Sequence, residues 1–318
     1  MKSQILLTFL FLVTFTLFSQ ENEELTAIPI VSYWSKGDVY TFLVKKSKKT
    51  WKEEDLSKAD SSEYTATFTV IDSTETSYTI KWEFENEYSN LSMIPSKYQS
   101  NFKKYQKNEV IYTTDEVGVF QGIKNWKEIS QQMKDFYSQL LEVLKTDESE
   151  NLKTLKNMLD PIMKIYSSKE GIEQLVFKEI YYFHFPYGVE YSIAEPLEYE
   201  EEFPNLFGGD PLKGLAKIEV IGVDQENEIV TLLNTKNINE ADTKRFLMEA
   251  LKKMGFKDKE VEEEMKKAKY IFTDENKFVF YYGPGVPAFV QGKRLVDMNL
   301  KGEIMKIEEI VQVELILE

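Results

Sequence analysis

Side chains that move protons, form covalent bonds or hold ions are sparse in this chain. Histidine occurs once, as His184 in the run Tyr181-Tyr182-Phe183-His184-Phe185-Pro186, and cysteine not at all. A catalytic base needs a group to orient it and a nucleophile within reach. No motif supplies either beside His184, which reads as one more ring of an aromatic strand. One histidine without thiolates makes no multi-histidine or cysteine zinc site.

Carboxylates are plentiful but scattered. Asp72, Glu75, Asp115, Glu116, Asp274 and Glu275 all fall in segments that read as turns. Two carboxyls at a defined separation hydrolyse glycosides, so a carboxylate-based hydrolase is one reading and simple solvation of turns the other. The acidic stretch from Glu198 to Asp210 has the oxygen ligands that calcium takes, without the fixed spacing of an EF-hand loop; solvated charge is the usual meaning of such a run. Gly283-Pro284-Gly285-Val286-Pro287 lacks the Lys and Ser/Thr of a phosphate loop, and there is no Gly-x-Ser-x-Gly elbow. No catalytic residue, metal or cofactor is assigned, and binding is favoured over catalysis.

The aromatic load is the most suggestive feature left: 21 Phe, 18 Tyr and 4 Trp. Tyr78, Trp82, Phe84 and Trp126 are the candidate ligand-binding residues, with Trp34, Trp51, Tyr40 and Phe42 beside them. Together they would line an apolar pocket between a sheet and a helical layer. Core packing accounts for most of them without any ligand.

Alternation supplies the elements that position these rings. Val39–Lys46 opens as a strand after Gly37-Asp38, and Lys45-Lys46-Ser47-Lys48-Lys49 reads as a charged hairpin tip or loop. Tyr64–Val70 and Ser77–Glu85 alternate with period two around a turn at Asp72–Glu75, predicting an antiparallel hairpin with one buried face. A shorter hairpin spans Val110–Phe120 about Asp115–Gly118. Asn125 can cap a helix from Trp126 to Lys145 whose apolar set (Ile129, Met133, Phe136, Tyr137, Leu140, Leu141, Leu144) shares one face. A second helix, Asn151–Leu159, stops at Asp160-Pro161. Ser167 and Glu170 have capping-box spacing, and Ile180–Phe185 reads as strand.

Tyr187–Gly214 is irregular and reads as a long loop. A hairpin then spans Leu215–Leu233 about Asp224–Asn227. Asn239 caps a helix from Glu240 to Met254 that stops at Gly255, and a short charged helix runs from Lys259 to Lys269. Tyr270–Tyr282 reads as a further hairpin, and Val290–Leu317 as two or three closing strands. An echo between Ala66–Ile71 and Ala216–Ile221, and between Ile111–Phe120 and Ile271–Phe280, suggests two similar sheet-plus-helix halves. A single continuous sheet with helices across one face fits as well. The expected fold class is α+β, mostly antiparallel sheet with a layer of helices. The expected divisions are 1–19 signal peptide, 20–187 first half, 188–214 acidic boundary and 215–318 second half, with one continuous domain as the alternative.

The N-terminus predicts export. Met1-Lys2 is followed by the nearly unbroken apolar run Ile5–Phe18, then Ser19-Gln20 and an acidic start, the order of a cleaved signal peptide. The run is about 14 residues, short of the roughly 20 that cross a bilayer. No later stretch is apolar enough to span, so no membrane span is expected after cleavage. The absence of cysteine excludes disulfides and a lipid-modified cysteine, and fits a bacterial periplasm or surface better than eukaryotic secretion. The net charge of −15 repels nucleic acid at long range, so no nucleic-acid partner is expected.

The stretch Phe203-Pro204-Asn205-Leu206-Phe207-Gly208-Gly209-Asp210-Pro211 resembles a loop of an uncharacterised exported bacterial protein family. The Ser19-Gln20 junction and the Gly37-Asp38 strand opening are similar too. That resemblance implies location and general build, and brings no activity or site residues. The sequence thus points first to an exported protein that binds an apolar or amphipathic ligand in a cleft. A cell-envelope interaction or structural module, with an envelope protein as partner, is the alternative, and a carboxylate hydrolase the second.

Overall fold

The computed structural model describes residues 25–85, 94, 96–146, 152–173, 177–203, 210–253, 257–265, 269–300 and 303–317. The segment expected as a signal peptide, residues 204–209 of the stretch 203–211 and Gly255 lie outside them.

Two antiparallel meanders build one sheet. The first is β2 (Val39–Lys52), β3 (Asp55–Thr74), β4 (Ser77–Glu85), β5 (Lys107–Asp115) and β6 (Phe120–Ile123). The second is β8 (Leu197–Phe203), β9 (Leu212–Asp224), β10 (Ile229–Ile238), β11 (Lys269–Tyr281), β12 (Val286–Leu300) and β13 (Glu303–Leu315). The last strand of the second pairs with the first strand of the first, giving eleven strands in the order β6-β5-β4-β3-β2-β13-β12-β11-β10-β9-β8. A separate two-stranded sheet pairs β1 (Ala27–Ile30) with β7 (Val189–Ser192). The expected α+β class, a large antiparallel sheet with helices layered on it, is what the chain adopts.

Between β6 and β8 the chain must travel from one edge of the sheet to the other, and it carries most of the helices on the way. These are α1 (Trp126–Thr146), α2 (Leu152–Ile165), the short α3 (Lys169–Gly171) and α4 (Lys178–His184). A 3-10 helix, Ser96–Tyr105, precedes β5, while α5 (Glu240–Lys253) and α6 (Asp258–Met265) connect β10 to β11. The sheet face that carries α4 is the inner face. Phe42 and Val44 of β2, Ala66, Phe68 and Val70 of β3, and Ile80 and Trp82 of β4 alternate onto it and are fully buried.

The segment expected as the strand Ile180–Phe185 instead forms the body of helix α4 and its C-terminal cap. Phe183 packs in rings from three strands, with centroids 5.2 Å from Phe42, 5.4 Å from Phe68 and 5.9 Å from Trp82. On the other flank Phe185 stacks on Phe278 of β11 at 5.6 Å. Gly292 of β12 lies under the Tyr182 ring, where a β-carbon would stand 2.4 Å from that ring's Cζ. A segment lying over a sheet face has no ladder to join, so its buried N–H and C=O groups must pair within the segment, as a helix allows. Aromatic β-propensity yields to that requirement.

Elsewhere, pairing on both sides of a strand overrides local polarity. Lys45–Lys49 lies in mid-strand, flanked by β3 and β13, and the turn moves out to Glu53-Glu54. The stretch expected as the hairpin Tyr270–Tyr282 forms one strand, β11, up to Tyr281, so Asp274 and Glu275 are not at a turn; both pair with β10 and β12. Asp72 is still within β3. The Tyr187–Gly214 stretch contributes β7 and the edge strand β8 rather than a loop alone. The closing strands are two, β12 and β13.

Among the helices, Asp160-Pro161 does not end α2, and the Asp160 carboxylate accepts from the Tyr137 hydroxyl at 2.5 Å. Asn125 does not cap α1 with its side chain; its Oδ1 accepts from the Ile111 N–H of β5 at 2.8 Å. The cap before α3 is Ser168, not Ser167. Asn239 does cap α5, taking the Asp242 N–H at 2.8 Å.

One turn ties the second meander to the small sheet. The Gly285 carbonyl accepts from Trp34 Nε1 at 3.1 Å and from the Tyr187 hydroxyl at 2.8 Å. Gly285 itself sits at φ +66°, and a β-carbon there would meet the Val31 carbonyl oxygen at 2.0 Å. Gly285→Ala is therefore expected to cost about 3 kcal/mol or more, combining left-handed strain with a backbone clash. Gly37→Ala, at φ +98° with open space around it, is expected to cost only the backbone term of about 1–2 kcal/mol. Urea denaturation of both variants checks the difference; equal losses would mean the Val31 contact is absent.

Candidate functional site

A cleft opens where α1 faces the inner side of the sheet. From α1 come Ile129, Gln132, Met133 and Phe136, spaced i, i+3, i+4 and i+7, which places them on one helix face. The opposite wall is Tyr64 of β3 and Phe84 of β4, with Phe177 just before α4, while Tyr105, Asn108 and Tyr166 close the ends. The cleft has a volume of about 140 Å³, close to the roughly 150 Å³ cavity that holds a benzene ring in another protein.

Its floor is polar. Glu179 of α4 is buried at 1% exposure, its Oε1 accepting from the Tyr64 hydroxyl at 2.6 Å. Lys46 Nζ lies 2.8 Å from Glu179 Oε2 and 5.5 Å from the Tyr64 ring centroid. A carboxylate in an apolar surround is tolerable only when its charge is paired, and Lys46 provides the pairing.

Lys46 also lines a second, more open groove of about 380 Å³. Phe42, Val44, Lys46 and Lys48 alternate onto the inner face of β2, so the apolar stripe becomes basic toward the hairpin end. Lys48 and Lys178, the first residue of α4, both hold Glu309 of β13, at 2.6 Å and 3.3 Å. Burial alone would raise the Glu309 carboxyl; the bond from Lys48 and the charge of Lys178 outweigh it and hold it below the usual range. Asp60 lines the same groove and pairs with Lys58 at 2.8 Å.

The four sequence-predicted residues occupy different environments. Phe84 lines the cleft, 5.0 Å from Tyr64 and 6.2 Å from Phe177 by ring centroids. Trp82 is wholly buried between Phe42 and Phe183. Tyr78 packs edge-on to Trp34 at 5.3 Å, and Trp126 lies half-buried against the core. Lys46, Tyr64, Phe177 and Glu179 were not singled out by sequence reasoning. The signal for Glu179 is an acid inside an apolar set, Phe177, Ile180 and Phe183, and it emerges only when that set is read with helical spacing.

The acids do not gather. Asp115 closes β5, its Oδ1 accepting the Val117 and Val119 N–H groups of the turn that follows. Asp274 is buried in mid-strand and takes a bidentate pair from Arg294 at 2.6 and 2.7 Å. Glu201, part of the acidic stretch, pairs with the buried Lys236 at 2.7 Å. Among the described residues no three or more His, Asp or Glu side chains group to hold a metal ion. Nor is any described helix long and apolar enough to cross a membrane.

His184 sits in the core on α4. Its Nδ1 is 2.8 Å from the Gly118 carbonyl and its Nε2 is 2.9 Å from the Tyr112 hydroxyl. Nδ1–H therefore donates and Nε2 accepts, the neutral tautomer. Burial lowers its pKa to about 3, with the Gly118 bond opposing weakly.

No protein-family model and no curated protein matches the chain. Among solved structures, a lipovitellin structure described by its lipid–protein interactions aligns at 8% identity and a TM-score of 0.41. That alignment covers 89% of this chain and 25% of lipovitellin, so the chain spans a quarter of that protein's length. The attachment invasion locus protein Ail of Yersinia pestis aligns at 5% identity and a TM-score of 0.15, over 89% of this chain and 100% of its own. Likeness of this degree establishes neither a shared fold nor a shared ligand.

Unfolded, a histidine titrates near 6.5; folded, His184 takes a proton only near 3, so below pH 6.5 the unfolded state binds more protons. Stability should be full above about 6.5 and fall by about 1 kcal/mol per pH unit between pH 6 and 5. Urea midpoints across that window measure the slope. His184→Phe, which cannot titrate, should flatten it, and an undiminished slope in that variant would refute the assignment.

Proposed function

We propose that this protein is exported and binds, without catalysis, a small apolar or amphipathic ligand in the cleft between α1 and the inner face of the sheet. The observation that carries this reading is the cleft itself: ring-sized, walled by Ile129, Met133, Phe136, Phe84 and Phe177, and floored by the paired Lys46 and Glu179. Predominantly apolar linings with a few placed polar groups are the general form of small-ligand sites. Export rests on the N-terminal signal pattern, and N-terminal sequencing of the secreted or periplasmic protein tests it directly.

The ligand test uses a neutral probe matched to the cleft, 4-phenylbutan-1-ol, followed by saturation-transfer NMR and titration calorimetry. Saturable binding is expected. It should weaken at least about tenfold when Ile129→Trp fills the cleft, the loss of roughly 1.4 kcal/mol or more. Met133→Phe, which adds less bulk, should weaken it to a smaller degree. Both variants are compared with the parent by far-UV circular dichroism and melting temperature. Absence of saturable binding by the parent protein, or undiminished binding by a folded Ile129→Trp variant, would overturn the cleft reading and direct the search to protein partners.

A further inference from the structure

The cleft and the basic groove meet at one side chain. Lys46 lines both, with its stem passing from the apolar face toward Glu179 and the groove continuing over Lys48 and Lys178. Such a junction is unusual for this chain, whose 54 acidic residues outnumber its 39 basic ones. The five-residue run Lys45–Lys49 nevertheless contains four lysines, and β-alternation sends Lys46 and Lys48 to the inner face.

Three lysines therefore converge on the groove: Lys46 and Lys48 from β2 and Lys178 from α4. The carboxylates beside them are Glu179, Glu309 and Asp60. Asp60 is engaged by a fourth lysine, Lys58. Glu309 is shared between two lysines, so each has donor capacity to spare, since an ammonium carries three N–H donors. The local balance of Lys46, Lys48, Lys58 and Lys178 against the three acids is one positive charge in excess, in a protein that is elsewhere acidic.

We infer that the ligand of this site is a small amphiphile with a single acidic head group. Its ring or short chain occupies the cleft under α1, and its carboxylate, phosphate or sulfate lies in the groove against the N–H donors of Lys48 and Lys178 that Glu309 leaves free, beside Lys46. This rests on the cleft reading proposed above and adds to it the charge of the head. Lysine suits such a role because its flexible stem can redirect the ammonium without moving the backbone. The surrounding negative surface repels anions at long range, so the selectivity arises from contacts within the groove and not from steering.

The test compares isosteres that differ only in the head: 4-phenylbutyrate, 4-phenylbutan-1-ol and 4-phenylbutylamine, each titrated into the full-length mature protein. The acid is expected to bind about three- to tenfold more tightly than the alcohol, the range for charge-assisted bonds at partly exposed sites, and the amine most weakly. In the Lys48→Gln/Lys178→Gln double variant the local balance falls to one negative charge, so the acid-to-alcohol preference should fall to one or below, with alcohol binding within about twofold of the parent. Raising the salt concentration should erode the acid's advantage and leave the alcohol unchanged. Equal binding of acid and alcohol by the parent, a preference for the amine, or an acid preference that survives the double variant would overturn the anionic head and leave the cleft reading intact. Failure of the alcohol and the acid alike would remove both.

Discussion

The requirement that shapes this molecule is that one face of an eleven-stranded sheet must be covered by a chain segment that cannot join the sheet. The face carries Phe42, Phe68, Ile80, Trp82, Phe278 and Phe280, all fully buried. Leaving such rings in water would forfeit about 1.5–3 kcal/mol for each large apolar side chain. The segment from β6 to β8 has to pass from edge to edge, and its passage over the inner face supplies the cover. At the crossing point the backbone closes on itself as α4, pairing its own N–H and C=O groups along the helix above the rings. Phe183 and Phe185 then knit together strands from both meanders, and Tyr182 lies close to the sheet because position 292 has no side chain.

Once α4 is laid down, the polar features of the inner face follow. Glu179 projects from the helix into an apolar wall and is held by Tyr64 and Lys46. His184 leaves the other end toward Tyr112 and Gly118 and stays neutral. Further across the sheet, Asp274 meets Arg294, Lys236 meets Glu201, and the Asn276 amide donates to Asn234 at 3.0 Å. These buried groups are matched to one another because an isolated buried charge would cost several kcal/mol. They fix the register of the strands that carry them: a slip of one residue would send each to the opposite face.

The same arrangement produces the cleft. The later apolar residues of α1, Leu140, Val143 and Leu144, pack on Phe102 and Tyr105, while Ile129, Met133 and Phe136 face Tyr64 of β3 and Phe84 of β4, and the sheet there turns from apolar to basic along β2, from Val44 to Lys46 and Lys48. The mismatch leaves a ring-sized space with rings and aliphatic chains on its walls and a lysine at the threshold of a more open groove. Trp82, which reads in sequence as an equally good ligand contact, is consumed by the core instead. The difference between it and Phe84 is a step of two residues along one strand, from beneath α4 to the edge of the space under α1.

Much of the fold was legible in the residues themselves. The alternation of Tyr78, Ile80, Trp82 and Phe84 prescribes a strand with one buried face, the apolar spacing from Ile129 to Leu144 prescribes α1, and Asn239 with Asp242 prescribes the start of α5, because each pattern is local and has one low-energy form. The signal-like start and the acidic balance are likewise properties of composition. What only the tertiary structure decided is which partner each segment finds. Ile180–Phe185 alternates well enough for a strand and becomes a helix because it lies on a sheet face. Lys45–Lys49 looks like a tip and becomes mid-strand because β13 arrives from the far end of the chain to pair with it. Lys46 and Glu179 are 133 positions apart in the chain and 2.8 Å apart in space; their meeting depends on long-range packing, to which local periodicity is blind.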